Sequence, residues 1–442
     1  MIPILLGLAV SLAPAFTLVL TLAYIAMRHP RLFLVIFMLL TAFESTRDFA
    51  PSLGVSLSGI SVYPNDLIMV IGLGAALIRM GQWRLRGVAR TSALVYVSFV
   101  GLGAITWIYT FGGQVGANFW RLPMLAAAML LYTTTRSGAW SWCDLRVIMV
   151  APAIVVALSS VVGIILYGFG SNSSGVAVAG GMVSDSRPVS APGSLLMLMG
   201  LWVTVLSAGK WTGRRHLIVA LLGSMVVLTQ NRSVWVAAIL GVLVWWLVPT
   251  IRSHGAFGGL GGTSRAILVF LGATATGLVG VSITALRQSA TDDQTFLWRM
   301  ARWADSMSIP RSWTEWLVGA ILGPTPAAEP GLLAPHSLYV IAIEMTGLIG
   351  LGTLLFLVLA VRSARVPPSI TLLGPVVCFS LLGFGVAYPL PPWAWMFVGI
   401  LLATNRVDFA PEEVPLIHVK EHGRGKPRLS NPRPSTECES LT

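Results

Sequence analysis

The sequence predicts an all-α integral membrane protein, a polytopic bundle of about 12 to 14 transmembrane helices. Of its 442 residues, 55% are hydrophobic and only 10% are charged, whereas a soluble globular protein carries about 25% charged residues. The apolar residues are grouped in blocks that end at arginines or at Gly and Pro clusters. These blocks lack the period-two alternation of membrane β-barrel strands. The composition therefore excludes a cytosolic enzyme, a disordered protein and a secreted disulfide scaffold.

The apolar blocks follow one another along the whole chain up to residue 405. Pro14 interrupts the first block and the last block is short, so the predicted count is a range. No basic segment precedes the first block, which predicts a retained span and not a cleaved signal peptide. The predicted blocks are 2–27, 32–43, 63–78, 91–109, 119–134, 147–167, 191–208, 216–230, 233–249, 266–286, 337–361, 369–388 and 393–404.

Lysine and arginine are distributed unevenly between the connections. Most of the 29 basic residues fall in alternate connections and in the tail 406–442, which predicts that these segments are cytoplasmic. The tail is polar and rich in proline, and we expect it to be disordered. The formal charge of +12 is therefore explained by topology and requires no nucleic-acid partner. The predicted outer face carries a minority of arginines: Arg47, Arg121, Arg187, Arg232, Arg287, Arg299, Arg302 and Arg311.

These outer arginines oppose the orientation signal. A charge held at membrane depth costs about 3 kcal/mol, and an anionic partner would offset that cost. Two predicted outer connections carry some of them: the Gly- and Ser-rich segment 168–192, and the large loop 287–336. The large loop interleaves tryptophans with arginines, which predicts an amphipathic helix lying on the bilayer surface.

The first candidate site residue is Arg232, within the junction Thr229–Trp235 between two predicted spans. A guanidinium beside the free N–H groups at a helix start is suited to bind phosphate. The alternative is that Arg232 reaches to the lipid headgroups or caps a neighbouring helix.

The second candidate group lies in the large loop. Arg299 and Trp303 are four residues apart and share one face of a helix, and Arg302 is adjacent. This face could bind a pyrophosphate, with the tryptophan at the lipid boundary. The alternative is that a basic amphipathic helix binds the anionic lipid surface.

The third candidate is His336, the only histidine on the predicted outer side. An imidazole titrates near neutrality and can accept a proton from a hydroxyl nucleophile; alternatively, His336 is a simple helix cap. Glu344 follows inside the next predicted span, where an acid needs a partner. We expect that partner to be Arg232 or a backbone group.

Taken in order, these motifs resemble the O-antigen ligase and polysaccharide polymerase superfamily of bacterial membranes. The resemblance is carried by the junction around Arg232, the Arg299/Trp303 pair, Gly319 and Gly323, and the His336 helix with its E-x-x-G-x-x-G run; these span 216–362. Upstream, Tyr63-Pro64-Asn65-Asp66 at the start of a span and Arg187 before another agree in general form. Asn231 stands where the family usually has Ser, and Ser337 where it usually has Asn.

The resemblance implies a bundle of the glycosyltransferase-C type (residues 1–405) whose loop 287–336 covers the site. It implies a metal-independent enzyme, without cofactor, that moves a glycan from a polyprenyl pyrophosphate carrier to an acceptor hydroxyl at the outer face of the cytoplasmic membrane. Arg232 and Arg299 would bind the pyrophosphate and His336 would act on the hydroxyl. Arg302, Arg187, Glu344 and Trp303 would bind substrate.

Several alternatives remain open at this level. The enzyme could be a ligase, a repeat-unit polymerase or a protein O-glycosyltransferase, which differ in the acceptor. A non-enzymatic lipid-glycan transporter or flippase predicts charged residues along a path through the membrane. Here the predicted spans are nearly free of charge and the arginines cluster at one face, which favours the enzyme. A purely structural membrane scaffold is the least favoured alternative.

Overall fold

The computed structural model describes residues 16–45, 55–57, 60–62, 64–83, 85, 87–111, 113–135, 140–167, 174–178, 181–185, 189–207, 211–229, 231–252, 303–323, 337–361 and 372–404. These residues are predominantly helical. The helices are α1 (Phe16–Arg28), α2 (Pro30–Ser45), α3 (Pro64–Ile78), α4 (Gly87–Phe111), α5 (Gly113–Thr134), α6 (Trp142–Tyr167), α7 (Ala191–Val205), α8 (Gly213–Leu228), α9 (Arg232–Arg252), α10 (303–308), α11 (Trp313–Val318), α12 (Leu338–Val361), α13 (Leu373–Gly385) and α14 (Pro392–Thr404).

Three of the described helices are long and apolar enough to cross a membrane. They are formed by Gly87–Thr110, Trp142–Ile165 and Leu338–Val361, each of 24 residues, and a helix needs about 20 residues to cross the hydrocarbon core. These helices indicate a membrane protein. Shorter apolar helices accompany them at Phe16–Arg28, Pro30–Ala42, Pro64–Ile78, Ala191–Val205, Arg232–Trp246, Leu373–Gly385 and Pro392–Thr404.

The helix termini lie at two ends of the described structure. At the first end, arginine side chains donate hydrogen bonds to carbonyl groups at the C-termini of helices. The Arg79 guanidinium donates to the carbonyl of Met27 at the end of α1. Arg215 donates to three carbonyls at the end of α7, at 2.7–3.1 Å. Arg31 at the start of α2 pairs with Asp144 at the start of α6 at 3.7 Å. We call this end the arginine-rich end.

The other termini form the opposite end. The Trp107 indole near the end of α4 donates to the carbonyl of Ala320 at 2.9 Å. Helix α9 ends at Arg252 near the arginine-rich end, whereas the next described segment, 303–323, lies at the opposite end. The predicted span 266–286, which falls between them in the sequence, lies outside the described residues.

Helix α13 connects the helices that carry two of the candidate motifs. A Cβ atom added at Gly383 would lie 2.6 Å from the Leu240 side chain and 3.3 Å from the Ala237 backbone, both in α9. One added at Gly385 would lie 3.0 Å from Leu338, the first residue of α12. Glycine thus allows α9 and α12 to approach α13 closely near its end.

Two short antiparallel hairpins lie in the described parts of the connections. Strands β1 (Val55–Leu57) and β2 (Ile60–Val62) pair before α3. Strands β3 (Ser174–Val178) and β4 (Gly181–Asp185) pair within the segment predicted to be a Gly- and Ser-rich loop. The backbone groups of these connections are thereby partly satisfied by pairing. The first predicted block before residue 16 and the tail 406–442 lie outside the described residues.

Candidate functional site

The predicted site residues fall into two groups. Arg232, Trp303 and Glu344 belong to the described part of the chain. The other predicted site residues lie outside the described part: Arg187, Arg299, Arg302 and His336.

The junction motif forms a buried turn that presents one arginine outward. Arg232 is the first residue of α9 and is exposed. Asn231 before it is buried (1% exposed), and its amide nitrogen donates to the hydroxyl of Ser194 and to the carbonyl of Val189 at 3.3 Å. Because both acceptors lie at the start of α7, Asn231 holds that helix against the junction. The asparagine that departs from the family pattern therefore has a structural role.

The start of α7 is fixed beside the junction. Ser190 caps α7 by accepting a hydrogen bond from the backbone N–H of Gly193, and the carbonyl of Val189 accepts from Asn231. Arg187, which precedes Val189 by two residues in the chain, lies outside the described residues.

The start of α12 lies at the same end of α13 as the start of α9. The Ser337 hydroxyl, one residue after His336, donates to the carbonyl of Gly385 at 3.5 Å. The Tyr339 hydroxyl donates to the carbonyl of Leu382 at 2.7 Å. Packed helix axes are 8–10 Å apart, so the starts of two helices that flank a third are within about 20 Å of each other.

The described part of the large loop contains two short α-helices, α10 and α11, followed by a 3-10 helix at Gly319–Leu322. The part of the predicted amphipathic helix before residue 303 lies outside the described residues. Residues 309–312 separate α10 from α11, and Pro310, which lacks a backbone donor, lies between them. Ser312 begins α11 with a capping box to Glu315. Trp313, the first residue of α11, is 84% exposed. Trp303 is only partly exposed, and no described residue accepts a hydrogen bond from its indole nitrogen.

Glu344 is buried (6% exposed). Among the described residues its hydrogen-bond partner is a side chain of the loop, and not Arg232 or a backbone group as expected. Its carboxylate accepts a hydrogen bond from the hydroxyl of Ser306 in α10, itself 8% exposed. The Arg311 guanidinium donates to the carbonyl of Ser306 at 2.8 Å and to its hydroxyl at 3.4 Å. It also interacts electrostatically with Glu344 and lies 4.9 Å from the centre of the Trp316 ring. A carboxylate, a hydroxyl and a guanidinium therefore join the loop to α12.

Two glycines let the loop backbone lie directly against α12. The helix is interrupted at Gly347, where φ is 64° and ψ is −169°. A Cβ atom there would lie 2.3 Å from the carbonyl of Leu317. Gly319, also at positive φ (63°), faces back, and a Cβ there would lie 2.6 Å from the nitrogen of Gly347. The E-x-x-G part of the sequence motif thus marks where the loop crosses a broken helix.

A second ion pair at the opposite end changes the interpretation of the outer arginines. Arg121 in α5 pairs with Asp66 at the start of α3 at 2.6 Å. Arg121 and Arg311 therefore interact with acidic groups of the protein itself, Asp66 and Glu344, and the anionic partner expected for the outer arginines is internal for these two. The hypothesis of phosphate binding concerns Arg232 and Arg299, of which Arg232 belongs to the described part.

The sequence interpretation missed Ser306 and Asp66 as partners of charged groups. Asp66 could have been found as the acid that opens a span. No sequence signal distinguishes Ser306 from other serines, because its partner Glu344 is 38 residues away.

The described residues contain no group of three or more His, Cys, Asp or Glu side chains that could hold a metal ion. Chemically, the described arrangement offers an exposed cation at a helix start and a docked, partly buried loop. Comparison of the chain with protein-family models, curated proteins and solved structures finds no match.

Proposed function

We propose that this protein is a multi-pass glycosyltransferase of the cytoplasmic (inner) membrane that acts in cell-envelope polysaccharide synthesis. It transfers a glycan from a polyprenyl pyrophosphate carrier to an acceptor hydroxyl. Its helices form a polytopic bundle of the glycosyltransferase-C type with about 12 to 14 spans. The opposite end, where Arg232 lies, is the periplasmic or extracytoplasmic face, because basic residues concentrate at the other end.

One observation carries the proposal: α9 and α12 begin against the same end of α13. The first of these helices begins with the exposed Arg232, and the second begins two residues after His336. This arrangement supports a site at this end of the bundle, with Arg232 as the cation for the leaving group and His336 as the base for the nucleophile. Lipid-linked glycans carry both reacting atoms close to the membrane surface, which suits a site at a helix end.

The proposed reaction is a single glycosyl transfer. His336 accepts the proton of the acceptor hydroxyl, whose oxygen forms a bond to the anomeric carbon. The bond from that carbon to the phosphate oxygen breaks, and the polyprenyl pyrophosphate leaves with the electron pair. Arg232 and Arg299 stabilise the charge that develops on the leaving group, and one preorganised donor of this kind contributes about 3 kcal/mol. The arginines supply the positive charge that a metal ion provides in other enzymes.

The remaining predicted residues have supporting roles. Arg187 and Arg302 extend the donor site, and Trp303 lies between it and the lipid. The role of Glu344 changes from substrate binding to holding the loop, since its carboxylate is buried against Ser306.

The test is transfer in reconstituted vesicles supplied with a polyprenyl pyrophosphate-linked glycan. We expect Arg232→Ala and His336→Ala each to abolish product formation. Arg28→Ala is the matched control, because Arg28 is an exposed arginine at the arginine-rich end; it should transfer at the wild-type rate. Wild-type rates from both site variants would refute the assigned roles.

Product size separates the alternatives. A ladder of lengths identifies a polymerase, and a single adduct identifies a ligase or a protein O-glycosyltransferase. Movement of labelled donor across the vesicle with no change in product length would identify a flippase and refute the enzymatic proposal.

A further inference from the structure

We propose that Glu344, Ser306 and Arg311 are positioning residues: they hold the loop in the break of α12 and thereby set the orientation of α10, whose first residue, Trp303, belongs to the proposed donor site. This inference rests on the proposed function for its catalytic part, while its structural part can be tested without any activity. We call the three residues the loop latch.

The first step is the position of the latch in the chain. Ser306 lies in α10, three residues after Trp303, so the two share one face of the helix. A side chain fixed at Ser306 therefore fixes the orientation of the first turn of α10. That turn begins at Trp303, which is assigned to the donor site.

The second step is the chemistry of the three groups. The Ser306 hydroxyl donates to Glu344 and receives a contact from Arg311 at 3.4 Å, so it lies between the two charges. A buried carboxylate is stable only when its charge and its hydrogen bonds are compensated. Among the described residues, this compensation comes from Ser306 and Arg311 of the loop. Undocking of the loop would therefore leave the carboxylate without these partners, which favours the docked state.

The third step is the surface of α12 and α4 against which the loop packs. Gly347 and Gly319 place the two backbones in direct contact, and Trp107 of α4 holds the carbonyl of Ala320 at 2.9 Å. Such irregular backbone within an apolar bundle is tolerated where it is buried in protein. The glycines permit the approach, but glycine contacts lack direction. The latch supplies the direction through the hydrogen bond from Ser306 to Glu344, and two hydrogen bonds from Arg311 to Ser306 stabilise the loop itself.

The structural arm of the test measures the loop position directly. Spin labels are attached at Ala304→Cys, on an exposed position of α10, and at Tyr109→Cys, which is 92% exposed on α4. The other cysteines are replaced by serine or alanine. We expect a narrow distance distribution in the otherwise native protein and a broad one after Ser306→Ala or Glu344→Ala. Asp305→Asn is the matched control, since Asp305 is an exposed carboxylate in the same helix; it should keep the narrow distribution.

The kinetic arm measures donor and acceptor separately. We expect Ser306→Ala to raise KM for the lipid-linked donor by about tenfold, the ratio that corresponds to one lost charge-assisted hydrogen bond, with the acceptor KM unchanged. Glu344→Gln should have a donor KM close to that of the wild type, because its amide oxygen still accepts a hydrogen bond from Ser306. Glu344→Ala should have a raised donor KM. A merely structural role would reduce the amount of active protein and leave both KM values unchanged.

The outcomes separate the two proposals. If the native protein transfers no glycan, the proposed function fails, and the distance arm still decides whether the latch exists. A narrow distribution in Ser306→Ala and Glu344→Ala overturns the latch, whatever the activity. A broad distribution with an unchanged donor KM overturns its positioning role. Should Glu344→Ala fail to fold, Ser306→Ala, which removes only one hydroxyl, is used for both the distance measurement and the kinetic measurement.

Discussion

Replacement of Gly347 by alanine tests the contact between the loop and the broken helix. The backbone there has φ 64° and ψ −169°, a conformation that non-glycine residues adopt at a cost of about 1–3 kcal/mol. The new Cβ would also lie 2.3 Å from the carbon and oxygen of Leu317. Backbone must move to relieve that overlap, and forced shifts of this kind typically cost about 1–3 kcal/mol. We therefore expect Gly347→Ala to lower the free energy of unfolding by about 2–6 kcal/mol.

The same helix offers a matched control for this substitution. A Cβ at Gly352 would meet no atom within 4 Å, and that residue is exposed. Gly352→Ala should be neutral or stabilise the protein by about 0.5–1 kcal/mol, because alanine has less backbone entropy to lose. Both free energies are measured by unfolding the purified protein in mixed detergent micelles. Equal stabilities of the two variants would refute the placement of the loop against Gly347.

Three further predictions concern the contacts that fix the helix ends. Arg215→Lys should destabilise the protein by about 2–4 kcal/mol, because an ammonium cannot reproduce the fork that serves three carbonyls at the end of α7; unfolding in micelles measures this. Asn231→Ala should lower the free energy of unfolding by about 1–3 kcal/mol by leaving buried acceptors unsatisfied. Asn231→Ser, which introduces the residue usual in the family that the sequence resembles, should retain part of that free energy. A double-mutant cycle on Asp66 and Arg121 should give a coupling of at most about 1 kcal/mol, because both side chains are 23% exposed; a much larger value would contradict that estimate.

Helix positions could be predicted from the sequence because apolar blocks have sharp borders. The block predicted at 91–109 is α4 (Gly87–Phe111), and the block at 337–361 is α12. The predicted block 369–388 is longer than its helix, Leu373–Gly385, since hydropathy counts apolar residues whether or not they are helical. The number of spans stays a prediction.

The polar contacts of the site could not be predicted, because they depend on tertiary partners. Glu344 was expected to need a partner, but the choice of Ser306 over Arg232 depends on how the loop folds back across α12. The break at Gly347 could not be predicted from the sequence either. Glycine is common in apolar spans, and only the neighbouring backbone shows why glycine is required at this position. The sequence therefore located the residues that carry charge and left open which of them the protein itself neutralises.

Arg232 remains the residue on which the two interpretations of the junction differ most sharply. If it reaches to lipid headgroups, any cation suffices, and Arg232→Lys should transfer glycan at the wild-type rate. If it binds a pyrophosphate through two hydrogen bonds, lysine keeps the charge but loses the planar fork. Loss of one charge-assisted hydrogen bond, about 1.5–3 kcal/mol, corresponds to a fall in kcat/KM of about 10- to 100-fold.

The comparison of Arg232→Lys with Arg232→Ala in reconstituted vesicles distinguishes the two interpretations. Bidentate binding predicts a lysine variant that is impaired yet more active than the alanine variant, because a charge remains beside the leaving group. Full activity of the lysine variant together with an inactive alanine variant would assign Arg232 to the membrane surface. Donor binding would then rest on Arg187, Arg299 and Arg302, and their substitution would become the decisive experiment.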